Sequence, residues 1–120
     1  MGKLKRAFER FECYLPAEVE ELEGKYNLVE TVAARDISQE GLKLVINSNI
    51  NSNIFSGSSI KLKLHCPEKG LSATLSGEIV WIKCVDNELK LGLKIKQMDN
   101  KLKKMFVDWA FIKALEKKRG

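Results

Sequence analysis

Two groups of residues in this sequence could do binding chemistry, and the first of them could hold an anion. Arg6 and Arg10 are separated by three residues in a basic segment. A guanidinium group grips phosphate oxygens bidentately and stacks its flat surface on a ring. Asp36, Ser38 and Gly41 form an Asp-x-Ser-x-x-Gly run between two strand-like segments. Taken singly, either group has a plain structural explanation, because arginine pairs are common in basic segments and the second run is typical of a turn.

Catalytic and metal-binding chemistry have little support. The single histidine, His65, lies in an alternating run, where a solvated strand residue explains it better than a general base. Cys13, Cys66 and Cys84 are far apart and form no CxxC pair, which favours reduced thiols and a cytoplasmic protein. His65 and Cys66 point to opposite faces of a strand, so a zinc site is disfavoured. We expect no enzymatic activity, no metal and no cofactor.

Length and composition indicate an ordinary globular domain. The chain has 120 residues, 44% of them hydrophobic and 31% charged, which favours one compact domain. A formal net charge of +5 makes anionic partners plausible. Cations concentrate at the two ends, and a solvated tail explains the C-terminal cluster of Lys113, Lys117, Lys118 and Arg119. No apolar run is long enough to span a bilayer.

Alternation of apolar and polar residues is the strongest structural signal. It predicts about six half-buried strands. The segments are Tyr14 to Leu22, Tyr26 to Ile37, Leu42 to Ile46, Ile60 to Cys66, Leu71 to Trp81 and Leu89 to Ile95. Gly77, inside the fifth segment, suggests a bend or bulge. Six short antiparallel strands in an open sheet would leave exposed edges, so the fold class we expect is mainly β, a small six-stranded antiparallel barrel.

A helix is expected to follow the barrel. Asp99 is a plausible N-cap, and apolar residues then recur at helical spacing. They are Leu102, Met105, Phe106, Trp109 and Ile112. This face should plug or flank the barrel. Upstream, the repeated Ile-Asn-Ser-Asn between Ile46 and Ile54 is expected to be a loop. The resulting organisation is a flexible arm over residues 1–11, a barrel over 12–97 and a helix with a basic tail over 98–120.

The two motifs occur in a fixed order along the chain. Arg-x-x-x-Arg at Arg6 and Arg10 precedes the Asp-x-Ser-x-x-Gly run by about 25 residues. In that order, the sequence resembles the PilZ domain family, small six-stranded barrels that bind the bacterial second messenger cyclic di-GMP. Gly77-Glu-Ile-Val-Trp81 and Leu91-Gly-Leu-Lys-Ile95 also look like the family's closing strands, and the last helix resembles its C-terminal element.

The resemblance implies specific roles for these residues. Arg6 and Arg10 would clamp phosphate and guanine, while Asp36, Ser38 and Gly41 would frame the base. A carboxylate suits guanine, because it accepts hydrogen bonds from N1–H and the exocyclic amine. The family often has two glycines where this chain has Glu40-Gly41, which adds a carboxylate near the phosphate.

Three further residues flank these motifs. Lys5 and Arg35 could add long-range attraction, although solvated charges explain them more simply. Trp81 could offer a stacking face at the barrel rim, although its alternation with Ile79 favours packing in the core.

The function expected from the resemblance is a stand-alone cyclic di-GMP receptor that signals occupancy to an unidentified downstream protein. One alternative is a PilZ-like interaction module without ligand binding, against which the intact arginine pair argues. Another is a small nucleic-acid-binding barrel. The long strands lack the clustered exposed aromatic residues of a stacking platform, which makes nucleic acid a less suitable partner.

Overall fold

The computed structural model describes residues 9–23, 32–47 and 56–119. Six strands, a short 3-10 turn and one long helix follow one another along the chain. They are β1 (Phe11–Leu22), β2 (Val32–Ile37), β3 (Gly41–Ile46), β4 (Ser59–Cys66), the turn Pro67–Lys69, β5 (Leu71–Val85), β6 (Glu88–Met98) and α1 (Asn100–Arg119). The predicted start of the second strand at Tyr26, most of the Ile46 to Ile54 loop and most of the 1–11 arm lie outside the described residues.

The strands close into a barrel in the order β1-β2-β3-β6-β5-β4, with every neighbouring pair antiparallel. The predicted fold class is therefore confirmed. Leu15, Leu44 and Leu62 are among the side chains with no exposed area, and they represent the inward-facing half of the alternating pattern. Closure pairs every strand on both sides, which removes the exposed edges of an open sheet.

Several pairs of strands shift register, and three of these irregularities bear on the candidate site or on the sequence predictions. Asp36 pairs with Lys43 and Ala34 with Leu44, so Arg35 is an extra residue on β2 relative to β3. On β5, Ile79 pairs with Leu93 and Trp81 with Gly92, which leaves Val80 as the extra residue. The register also shifts between Ser76 and Gly77, which confirms the irregularity expected at that glycine. A bulge bends its strand and redirects side chains.

Helix α1 packs against the barrel as predicted, and Leu102, Phe106 and Trp109 of the predicted face contact the core. The Oδ1 atom of Asp99 accepts a hydrogen bond of 2.9 Å from the Leu102 amide, which confirms the predicted N-cap. Phe106, Val107 and Ala110 join the barrel core. Met105 and Ile112 are instead 42% and 50% exposed. Their assignment to the buried face was wrong, because the helix is rotated so that the adjacent Phe106 and Val107 enter the core together.

His65 links three neighbouring strands on one side of the barrel. Its Nε2 lies 2.6 Å from Oε2 of Glu18 on β1, and its Nδ1 lies 2.8 Å from Oγ of Ser72 on β5. The histidine is thus a cross-strand connector rather than an isolated solvated residue.

Within the described part of the chain, no helix is long and apolar enough to cross a membrane.

Candidate functional site

The bulge at Arg35 shapes the outer face of the barrel where β1, β2 and β3 meet. In a regular strand Arg35 and Asp36 would point to opposite faces. Asp36 pairs with Glu12 of β1 on one side and, next to the bulge, with Lys43 of β3 on the other. Arg35 remains exposed beside it, with its guanidinium carbon 5.6 Å from the centre of the Tyr14 ring. Two consecutive charged side chains are therefore presented on one outer surface.

Asp36 is a largely buried carboxylate, and one of its two oxygens lacks a hydrogen-bond partner among the described residues. Its side chain is only 13% exposed, and Oδ2 lies 3.9 Å from Nζ of Lys43. Oδ1 is buried and has no hydrogen-bond partner among the described residues. An unpaired buried carboxylate oxygen is costly, so this position favours a hydrogen-bond donor supplied from elsewhere. The same carboxylate, after the burial of the thiol itself, helps to raise the pKa of Cys13 to about 12.

Ser38 and Gly41 build the turn that follows Asp36. The Ser38 hydroxyl is buried, and it accepts hydrogen bonds from the amides of Glu40 and Gly41 at 3.3 and 3.2 Å. The Ser38 amide donates to the Gly41 carbonyl at 2.8 Å, which closes the turn. A Cβ atom on Gly41 would lie 2.3 Å from the Leu93 carbonyl oxygen. Both residues thus have a structural role, and their contact with a guanine stays a prediction.

Trp81 lies on the same outer surface, on the far side of Lys43. The expectation that it shares the core face of Ile79 is wrong, because the extra residue Val80 reverses the alternation between them. The indole is half-buried over Gly92, and a Cβ atom there would lie 2.0 Å from its Nε1. The absence of a side chain at Gly92 therefore creates the space that the indole occupies.

These side chains border a shallow groove of about 440 Å³, which we call the Trp81 groove. It is lined by Arg10, Glu12, Asp36, Lys43, Trp81, Lys83 and Lys90. Its volume lies within the range of roughly 300 to 1,000 Å³ that is typical of small-molecule sites. Of the predicted site residues, Arg10, Asp36 and Trp81 thus meet at one groove, whereas Lys5 and Arg6 lie outside the described residues.

A second groove, of about 680 Å³, continues from the first toward helix α1. We call it the α1 groove. It shares Glu12, Asp36, Lys43 and Lys90 with the Trp81 groove. Its other lining residues are Cys13, Tyr14, Arg35, Val45, Glu88, Trp109, Lys113 and Lys117. Cationic side chains outnumber carboxylates along both grooves, so the continuous surface attracts anions.

Several lining residues were missed by the sequence analysis. Lys43 and Lys90 occupy ordinary polar positions of alternating strands, and nothing in the sequence separates them from other solvated lysines. Lys113 was interpreted as part of a solvated tail, yet it lines the α1 groove and its Nζ lies 2.8 Å from Oε2 of Glu68. The bulge had no clear signal in the sequence, because Ala33 and Ala34 are both apolar and either could share a face with Ile37.

The closed barrel, its capping helix and its cationic outer grooves define a small β-barrel domain with a surface suited to anions. The chain belongs to the PilZ domain family, whose model matches residues 4–111. PilZ domains are binding and regulatory modules, and the family is one of cyclic di-GMP binders.

A solved structure supports the same fold. The chain is similar to the Bacillus subtilis inhibitor of motility (MotI/DgrA), with a TM-score of 0.78 and 15% sequence identity. The similarity covers 96% of this chain and 54% of that one, so this chain spans about half of the longer protein. A comparison with curated proteins found no match to the sequence.

Proposed function

We propose that this chain is a cyclic di-GMP receptor that binds the messenger in the Trp81 groove. The observation that carries the proposal is that Asp36, whose Oδ1 has no hydrogen-bond partner among the described residues, lines one predominantly cationic groove together with Arg10 and Trp81. Cyclic di-GMP offers what these groups lack: two phosphodiester charges for the cations, and the N1–H and amine of guanine for the carboxylate. Membership of the PilZ family supports the same ligand.

Each of the three residues has a distinct part in this proposal. Arg10 binds a phosphate and stacks on a guanine. Asp36 accepts hydrogen bonds from the guanine edge, and Trp81 covers the groove with a stacking surface. In this proposal the segment before β1 is the arm that brings Arg6 to the same phosphate, and Lys5 and Arg35 add attraction. Occupancy then changes the surface that a downstream protein recognises.

The affinity expected from these contacts is modest. Micromolar binding requires about 8 kcal/mol, and each charge-assisted hydrogen bond contributes roughly 1.5 to 3 kcal/mol. Two arginines and one aspartate therefore approach that total only with the help of stacking. Losing one arginine should weaken binding at least tenfold, which corresponds to about 1.4 kcal/mol.

Calorimetric titration with cyclic di-GMP, with GMP and cyclic di-AMP as competing ligands, tests the proposal. We expect Arg6→Ala and Arg10→Ala to bind at least tenfold more weakly. Asp36→Ala should lose discrimination between the guanine and adenine dinucleotides, because the acceptor for guanine is gone. Lys61→Ala, on the exposed face of β4, is the matched charge control and should bind normally.

Two results would contradict the proposal. Failure of the wild-type protein to bind cyclic di-GMP would favour a PilZ-like interaction module without a ligand. Salt-dependent binding to mixed oligonucleotides, with no preference for the cyclic dinucleotide, would favour the nucleic-acid alternative.

A further inference from the structure

Helix α1 forms one wall of the α1 groove, opposite the barrel. Trp109, Lys113 and Lys117 line this wall, and Asp36 and Lys43 lie on the barrel side of the same groove. The three helical residues are four positions apart, so they share one stripe of the helix. The groove is continuous with the proposed cyclic di-GMP site because both include Asp36 and Lys43.

All three residues of this stripe are paired with carboxylates. Nζ of Lys113 lies 2.8 Å from Oε2 of Glu68, and Nε1 of Trp109 donates to Oε1 of the same glutamate at 3.1 Å. Nζ of Lys117 lies 3.7 Å from Oε1 of Glu12. Glu68 belongs to the short turn after β4, and Glu12 belongs to β1. These contacts therefore fasten the C-terminal half of α1 to the barrel.

The fastening contacts are exposed and easily exchanged. The hydrogen bond from Lys113 and, next, that from Trp109 hold the pKa of Glu68 below its ordinary value, although the glutamate is solvent-exposed. Exposed ion pairs contribute little stability. A phosphodiester offers the same anionic oxygens as a carboxylate and attracts the same donors. Nζ of Lys113 also lies 3.5 Å from Oε1 of Glu116 on the helix itself. A ligand phosphate in the groove would thus compete with these carboxylates for the two lysines.

The first half of α1 is anchored differently. Phe106, Val107 and Ala110 are buried in the barrel core. Beyond them, Phe111, Ile112 and Leu115 are 45 to 50% exposed. The part of the helix that carries Lys113 and Lys117 is therefore held mainly by its polar contacts and by the edge-to-face contact of Phe111 with Phe11, at 5.2 Å between ring centres.

We propose that α1 is the second wall of the ligand site, and that cyclic di-GMP takes Lys113 and Lys117 from their carboxylate partners. Trp109 then stacks on a guanine after leaving Glu68. The C-terminal half of α1 is released from the turn after β4, so its position depends on whether the site is occupied. This inference rests on the proposed function, because it extends the same ligand into the adjoining groove.

The test combines lysine and glutamate variants in titrations with cyclic di-GMP. Lys113→Met and Lys117→Met should each weaken binding about three- to tenfold. This loss is smaller than that of a buried charge-assisted hydrogen bond, because solvent screens an exposed contact. Glu68→Gln should tighten binding about two- to fivefold, because it removes the closer of the two carboxylates paired with Lys113 while leaving an amide oxygen for Trp109. A contact that only fastened the helix would not give these opposite signs.

Lys104→Met is the matched control. Lys104 lies on the same helix and is paired with Asp108 at 2.8 Å, but it is not among the residues that line the groove. It should bind the ligand like the wild type. Circular dichroism of each variant checks that α1 remains helical, so that a loss of binding is not a loss of the helix.

A spectroscopic readout separates the helix wall from the barrel wall. The chain has two tryptophans, so Trp81→Phe leaves Trp109 as the single indole. Quenching of Trp109 by cyclic di-GMP, saturating with the affinity that calorimetry gives for the same Trp81→Phe protein, is the expected result. If Trp81→Phe binds cyclic di-GMP in calorimetry but its Trp109 is not quenched, or if Lys113→Met matches Lys104→Met, this inference is overturned while the proposed function stands. If the wild type does not bind, both are overturned.

Discussion

The contact between Gly92 and Trp81 allows a quantitative prediction about the groove. In Gly92→Ala the new Cβ would lie 2.0 Å from Nε1 of Trp81, 2.3 Å from Cε2 and 2.5 Å from Cδ1. Because no Cβ atom tolerates such distances, the indole must swing away from β6. A packed tryptophan buries about 150 to 250 Å², so displacing a half-buried one exposes roughly 100 Å². At about 25 cal/mol per Å², the free energy of unfolding should fall by about 2.5 kcal/mol.

A double-mutant cycle measured by urea denaturation tests this reasoning. Trp81→Ala removes the obstacle, so Gly92→Ala in that background should cost nothing and even gain a little from the loss of glycine's flexibility. The coupling free energy should therefore approach the full cost of the single Gly92 substitution. If Gly92→Ala costs the same with and without the indole, the glycine is required by its backbone and the explanation is refuted. In parallel, Gly92→Ala should weaken binding of cyclic di-GMP, because the displaced indole no longer covers the groove.

Other consequences are independent of the ligand. Gly41→Ala should destabilise more than Gly92→Ala, by about 3 kcal/mol or more in urea denaturation, because its Cβ would meet the Leu93 carbonyl, a backbone atom that cannot rotate away. In thiol labelling at pH 8, Cys84 should react first, since it is exposed, whereas Cys13, with its pKa raised to about 12, should react much more slowly; equal rates would contradict the burial of Cys13. Asp99→Ala should cost about 1 kcal/mol and fray the start of α1, as measured by thermal denaturation with circular dichroism. An unchanged midpoint would show that the packed core holds that end of the helix without its cap.

The sequence predicted the barrel because alternation is a local property. Each strand buries one face, so Leu42 and Leu44 on β3 are apolar and Lys43 is polar whatever the partner strand is. The N-cap at Asp99 was also predictable, since capping involves only a few neighbouring residues. These features depend on short-range chemistry that a single segment carries by itself.

The composition of the site depended on pairing between distant segments. Lys43 lies opposite Asp36 because of the bulged register of β2 with β3, and Lys90 reaches the same groove only because β6 pairs with β3. The orientation of Met105 was misjudged because helix rotation follows from the fit of Phe106 into the barrel end. Strand register and helix rotation are set by tertiary packing, so the periodicity of a single segment does not predict them.

The two walls of the extended site differ in how firmly they are held. On the barrel wall, Asp36 is fixed by strand pairing on both sides and by the turn that Ser38 closes. On the helix wall, Lys113 is fixed by an exposed pair with Glu68. Ligand contacts with the rigid barrel wall give affinity and selectivity. Ligand contacts with the weakly held helix can shift that helix to a new position. A ligand bridging both would therefore leave the barrel unchanged and reposition the end of α1, which makes that helix the part of the molecule best suited to report occupancy to a partner.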